Sequence, residues 1–356
     1  MKKILIIINR YNGDVFLSKP IIDSLVEFYK NPKIDLLIEK STFACGSLLD
    51  NVNKIITFDY ARKHSEQFKQ EKEIFSRIYK KYDIAISLTS SDRSVIYAYL
   101  AAKISVSAVQ KNKYLSWWKR LLMTHAFEWD RDKHIIENNY KALDCLGITI
   151  KKNLIAPKPK IEPLKKIQNL LQEMDISNFI VCHFSSMYEY KTYPKENRND
   201  LLYLLNKLDI PIIATGGDSL IDKSIKESLP CLENLYDVIG ELDLSEYLSL
   251  SSLSIAYIGV DTLNVHIASS QEKKIFSIYG PTNINLWRPW SRHSFKKNIH
   301  NSSLISYGNV DIFRADLLCA GCNRAGCDDM GGESYCMEII EPNLIYLKVK
   351  EWLASK

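Results

Sequence analysis

The stretch from Ile255 to Thr282, IAYIGVDTLNVHIASSQEKKIFSIYGPT, limits the fold more than any other part of the chain. Ile255 to Ile258 is a short apolar run that Gly259 breaks. Asp261 and Thr262 stand where a helix N-cap would be, and Val265 to Ser269 reads as a helix of small residues. Ile275 to Tyr279 is a second apolar run, closed by Gly280, Pro281 and Thr282. A strand, helix and strand of this length, with turn residues at both strand exits, is the repeat of a parallel α/β sheet. Ligands of such sheets bind at the carboxyl ends of the strands, and the free N–H groups of a helix beginning after Asp261 attract a diphosphate.

The same period runs through the rest of the chain. Residues 3–8, KILIII, form an unbroken apolar strand of the kind buried on both faces. Asn9 to Asp14 reads as a turn, and Phe16, Ile21, Leu25 and Phe28 fall at helical spacing, with Pro20 a local irregularity. Strands are predicted over Ile34–Ile38, Lys54–Phe58 and Ile84–Leu88, with a helix over Glu66–Lys81 and another from the 89–93 turn through Ala102. Lys151 to Lys166 holds three prolines and six lysines and reads as an interdomain linker. Beyond it the pattern restarts: strands over Phe179–Cys182 and Ile210–Thr215, and helices over Pro194–Leu208, Ile221–Leu229 and Leu244–Ser251. The expected fold is α/β, with two parallel-sheet domains at 1–155 and 156–340. A C-terminal helix within 341–356 buries Leu344, Leu347 and Leu353 and could pack back on the N-terminal domain.

Composition narrows the class. With 356 residues, 46% hydrophobic and 25% charged, the chain suits a globular protein. No apolar run approaches the ~18 residues of a membrane span, and Met1–Ile8 lacks the features of a signal peptide, which points to the cytoplasm. The formal charge of +5 is mild. Between Lys103 and Lys133, basic residues alternate with Trp117, Trp118, Phe127 and Trp129. That suits an anionic lipid or sugar-phosphate surface, or a solvated helix face with its aromatics in a core.

Several motifs carry chemistry in combination: NGD at 12–14, SDRS near 91, HFSSMYEYKTYP at 183–194, ATGGD at 214–218, GVDTLNVH at 259–266 and YGPT at 279–282. Their order and spacing over nearly the whole chain resemble the ADP-heptose:lipopolysaccharide heptosyltransferases, glycosyltransferase family 9. The resemblance implies a GT-B fold: two Rossmann-like domains with an interdomain cleft, the N-terminal one binding acceptor and the C-terminal one nucleotide sugar.

It also implies roles. Asp14 matches the family's catalytic aspartate, the general base that takes the acceptor hydroxyl proton in an inverting transfer; read alone it is equally a helix N-cap. Lys191, Ser185, Ser186 and Thr262 match contacts to the donor diphosphate, and Asp261 and His266 match the D-[ST]-x-x-x-H motif. Gly216 and Asp218 would approach the ribose, with Asp222 a rival to Asp218. On the acceptor side stand Asn12, Gly13, Arg93, Lys111 and Lys113, the two lysines also reading as solvated surface. Leu263 stands where many members have glycine, which puts ADP-heptose in question more than a sugar nucleotide in general.

Cys319, Cys322, Cys327 and Cys336 give C-x2-C-x4-C-x8-C, the ligands of a structural zinc or a set of thiols. No metal is expected in the chemistry. The implied enzyme moves heptose from ADP-heptose to an inner-core lipopolysaccharide or lipid A-linked acceptor, peripheral to the inner membrane, without nucleic acid. A transferase using another nucleotide sugar, or a protein or capsule acceptor, and a non-catalytic nucleotide-binding relic are the rivals. The absence of a G-x-G-x-x-G turn after the first strand argues against a dinucleotide-dependent enzyme.

Overall fold

The computed structural model describes residues 1–62, 66–292 and 302–356. The chain forms two units, Met1–Pro157 and Lys158–Lys356. The first holds the strands β1 (Lys3–Ile8), β2 (Lys33–Glu39), β3 (Val52–Phe58), β4 (Tyr82–Ser87), β5 (Ala102–Val109) and β6 (His125–Glu128). Their order is β3-β2-β1-β4-β5-β6, all parallel. This is the doubly wound Rossmann order, in which connections run outward in opposite senses from the β1–β4 boundary. Ile4 to Ile8 are essentially fully buried at the centre, as an apolar run without alternation requires.

The second unit holds β7 (Ile180–His183), β8 (Ile212–Ala214), β9 (Leu235–Asp237), β10 (Ala256–Val260), β11 (Lys274–Tyr279), β12 (Leu304–Tyr307) and β13 (Val310–Arg314). The order β12-β13-β11-β10-β7-β8-β9 repeats the Rossmann pattern read from β9, with β12 added antiparallel at one edge. The equivalent switch lies between β7 and β10. Gly259 does not end its strand: β10 continues to Val260. A Cβ at Gly259 would strike the His183 carbonyl and the Tyr257 hydroxyl, so the missing side chain lets the exits of β7 and β10 close together. Gly259→Ala is expected to cost about 2–3 kcal/mol, read as a lower denaturant midpoint.

Three sequence expectations shift. Asn12 to Phe16 is a short helix rather than a turn, and a second helix runs from Lys19 to Tyr29, with Pro20 in the first turn where its missing N–H costs nothing. The linker stops earlier than Lys166, because Ile161–Glu173 is a helix that carries Pro163 in its first turn. The C-terminal helix Pro342–Ala354 belongs to the second unit and packs on the helix Lys195–Leu205. Its fully buried positions are Ile345 and Val349, while Leu347 is 49% exposed.

Candidate active site

In the second unit the motif residues gather at the carboxyl ends of β7, β8, β10 and β11, which are neighbours in the sheet. β10 delivers Asp261, buried, and Thr262, the N-cap of the helix Leu263–Ser270. The Thr262 hydroxyl accepts from the Asn264 N–H at 3.3 Å. The Lys191 ammonium donates to Asp261 Oδ2 at 3.1 Å. Burial would raise the Asp261 carboxyl, but the Lys191 ammonium and the Thr282 hydroxyl oppose it, and the group is held below its usual range. His266, 3% exposed, has its pKa pushed down to about 4 by burial, so its imidazole is neutral at pH 7. Its Nδ1 is buried without a hydrogen bond. A cation paired with a carboxylate, beside a neutral imidazole and the start of a helix, suits an incoming diphosphate.

Beside this pair, β7 ends in His183, whose Nδ1 meets the Thr215 hydroxyl at 3.2 Å and whose Nε2 meets Ser185 Oγ at 3.4 Å. Burial depresses this imidazole too, to about 4. Ser185 and Ser186 are buried, and Ser186 Oγ accepts from the Tyr188 N–H at 3.4 Å. Of the two carboxylates weighed for the ribose, Asp218 is exposed and Asp222 is buried. Asp222 closes a capping box with Ser219. Its Oδ1 points at Gly216, where a Cβ would lie 2.7 Å away, and has no well-formed hydrogen bond. Burial works to raise Asp222, yet Ser185, Ser219 and the Gly217 N–H keep it low. The buried partner of Gly216 is therefore Asp222 rather than Asp218.

Past β11, Gly280 has no room for a side chain. The Cβ position lies 2.5 Å from Met337 Sδ and 3.4 Å from Cys336 Sγ.

In the first unit Asp14 sits on the helix Asn12–Phe16 just past β1, beside the β1–β4 switch. Tyr11, not Asp14, is the N-cap residue, so the capping reading of Asp14 fails. The carboxylate is 7% exposed, and Arg10 Nη1 lies 3.7 Å from its Oδ1. Burial raises its pKa to about 6 against the pull of Arg10 and of backbone hydrogen bonds at Asp14 and Tyr11. Arg10 stacks on Trp129, 4.8 Å from the ring centre. A buried carboxyl that titrates near neutrality fits a proton acceptor.

The same architecture occurs in known proteins. Residues 73–311 match the family model described as glycosyltransferase family 9 (heptosyltransferase). The chain belongs to glycosyltransferase family 9. Lipopolysaccharide heptosyltransferase 3 of Escherichia coli K12 is 24% identical over 293 residues, covering 80% of this chain and 84% of the relative. Among solved structures, E. coli ADP-heptose LPS heptosyltransferase II aligns with a TM-score of 0.73 at 17% identity over 99% of both chains. E. coli heptosyltransferase WaaC, solved with ADP, aligns at 0.71 and 16% identity over 98% of this chain and 99% of that one. The fold is thus GT-B, and the protein is a glycosyltransferase.

Within this family 9 glycosyltransferase the remaining residues separate clearly. Asn12 and Gly13 share the Asp14 helix, and Asn12 Oδ1 is buried without a hydrogen bond. Arg93 is already engaged: its Nε donates to Glu71 at 3.0 Å and its guanidinium lies over Phe58 at 4.0 Å. Lys111 and Lys113 are exposed around the start of the helix Lys113–Leu122. Nothing in the sequence signalled Arg10, whereas His183 and Thr282 stood in the HFSSMYEYKTYP and YGPT motifs without assigned roles.

Cys319, Cys322 and Cys327 are exposed and Cys336 is buried. Burial and the three neighbouring thiols push Cys336 up to about 11. Among the described residues no three His, Cys, Asp or Glu side chains are arranged to hold a metal ion. Of the two readings, a structural zinc or a set of thiols, the zinc has no preformed ligand set among the described residues, and no chemistry is derived through it. No described helix is long and apolar enough to cross a membrane.

Proposed function

We propose that this glycosyltransferase moves a heptose from ADP-heptose to a sugar hydroxyl of the lipopolysaccharide inner core, with inversion, at the cytoplasmic face of the inner membrane. The observation that carries the donor half is the Lys191–Asp261 pair beside the helix N-terminus capped by Thr262. The nucleotide's diphosphate would sit there, with Ser185 and Ser186 donating to it, and Asp222 would accept from the ribose. His266, neutral, lies beside Asp261 without adding a second cation. As the sugar–phosphate bond breaks, charge grows on the leaving diphosphate, and Lys191 with the helix N–H groups stabilises it, a task that needs no metal. Asp14 removes the proton from the attacking hydroxyl. The relatives, a lipopolysaccharide heptosyltransferase and an ADP-heptose LPS heptosyltransferase, support this donor and acceptor class.

Proton removal requires the Asp14 carboxylate. Its pKa of about 6 makes kcat/KM fall tenfold per pH unit below that value and level off above it. A profile from pH 4.5 to 8 checks this, and a flat line through pH 5 would count against Asp14.

Leu263 supports a second reading, a different nucleotide sugar. It is the first residue of the helix Leu263–Ser270 and is half-buried, so its side chain takes up space where a glycine would leave the backbone open. Thermal shift with ADP, UDP and GDP separates the two. A rise with ADP alone supports the first reading, and a rise with UDP or GDP alone supports the second. Incubation with ADP-heptose and heptose-deficient lipopolysaccharide, read by the mass of the product, then tests the transfer itself.

A further inference from the structure

The helix Lys113–Leu122, KYLSWWKRLL, packs Trp118 and Leu122 against the core together with the buried polar residues Ser116 and Lys119, and leaves its other apolar residues exposed. Ser116 and Lys119 face inward. Ser116 Oγ donates to the Gln110 carbonyl at 3.0 Å, and the Lys119 ammonium reaches the Ser90 carbonyl and Asp92 Oδ1, each at 2.6 Å. Outward stand Tyr114, 91% exposed, Trp117, 63%, and Leu121, 77%. Their spacing of three and four residues puts them on one side of the helix. Leu115 is exposed beside them. Packing within the chain does not explain this arrangement, because aromatic and leucine side chains left in water forgo the burial that would favour them.

The charge around this face has one sign. The helix carries no acid, and Lys111 and Lys113 are exposed at its start. The nearby acids are matched: Asp92 by Lys119, and Glu128 by Arg120 at 2.9 Å. Aromatic and leucine side chains rimmed by free lysines suit a surface that is apolar at depth and anionic at its boundary. The helix follows β5 at the same carboxyl end of the parallel sheet as Asp14, which follows β1. We infer that the Tyr114–Trp117–Leu121 face, with Lys111 and Lys113, docks this unit on an anionic phospholipid bilayer. Trp117 and Leu121 enter the headgroup–acyl boundary and the lysines meet lipid phosphates. The inference rests on the proposed lipid-borne acceptor for its purpose, and its test uses membranes without that acceptor.

The experiment is flotation of the full chain with vesicles of phosphatidylethanolamine and about one quarter phosphatidylglycerol, a content typical of an anionic leaflet, against vesicles of phosphatidylcholine alone. Binding to the anionic vesicles, weakened by salt, with a blue shift of tryptophan emission, is expected. Trp117→Ser with Leu121→Ser should lower the partition at least about tenfold, with an unchanged thermal midpoint, since both side chains are exposed. Lys111→Gln with Lys113→Gln should lower it about fivefold per lysine. Absence of wild-type binding to the anionic vesicles overturns the inference. So does binding undiminished by the serine pair, or a soluble dimer that the serine pair dissociates while no vesicle is bound. Failure to bind ADP would count against the donor reading and leave the vesicle result standing.

Discussion

Asp14→Asn is expected to slow transfer about a thousandfold while making the folded protein more stable at pH 7.5. The carboxyl is buried and its pKa lies near 6, above the ordinary 3.8, with burial the largest cause. The folded state therefore holds the proton more tightly than the unfolded chain does. The sign follows: this group's contribution is most favourable below about pH 4 and is lost as pH rises through about 6. At about 1.36 kcal/mol per unit, the charged form costs on the order of 2–3 kcal/mol at neutral pH, with the pull of Arg10 already included. Asparagine fills the same space without the charge, so the variant should gain stability at pH 7.5 and little at pH 4. Urea midpoints at the two pH values, beside transfer rates, give both readings. A merely structural aspartate would lose stability and retain its rate. Transfer within tenfold of wild type would remove Asp14 from the mechanism.

Lys191→Ala should weaken ADP binding about a hundredfold and reduce transfer at least as much. Two effects add. The ammonium that meets the diphosphate is lost, and Asp261, buried and held ionised by that ammonium, is left facing the incoming phosphates with its charge uncompensated. The second effect can be isolated. Asp261→Asn in the Lys191→Ala background removes the repulsion and should return part of the affinity, so the pair of substitutions costs less than the sum of the two. Calorimetric titration with ADP of the four proteins measures this coupling. Wild-type affinity in Lys191→Ala would move the donor site elsewhere.

The two Rossmann units were legible because their central strands are continuous apolar runs. Residues 3–8 and 256–260 cannot be satisfied by a helix with one wet face. Short or edge elements were not legible. β9 has three residues, and β12 pairs antiparallel at a sheet edge, where burial imposes no strong pattern. Asn12 to Asp14 carries turn residues, yet it forms a helix because the chain must leave β1 and reach Pro20 within a few residues. At the site, the family resemblance grouped Lys191 with Asp261, Thr262 and His266, and these follow the adjacent strands β7 and β10. The choice of Asp222 over Asp218 needed the capping box with Ser219, which turns one carboxylate inward and leaves the other exposed. The pairing of Arg93 was not legible either. Its partner Glu71 lies on another helix, and a lone sequence gives no sign of that meeting.

Gly280 gives the sulfur atoms of Cys336 and Met337 a direct bearing on the turn that carries Thr282, whose hydroxyl helps fix Asp261. With no side chain to act as a cushion, added oxygen on either sulfur has nowhere to go except against that backbone. Oxidant exposure of the C-terminal segment would therefore register in the nucleotide pocket, as a mechanical push passed along three residues.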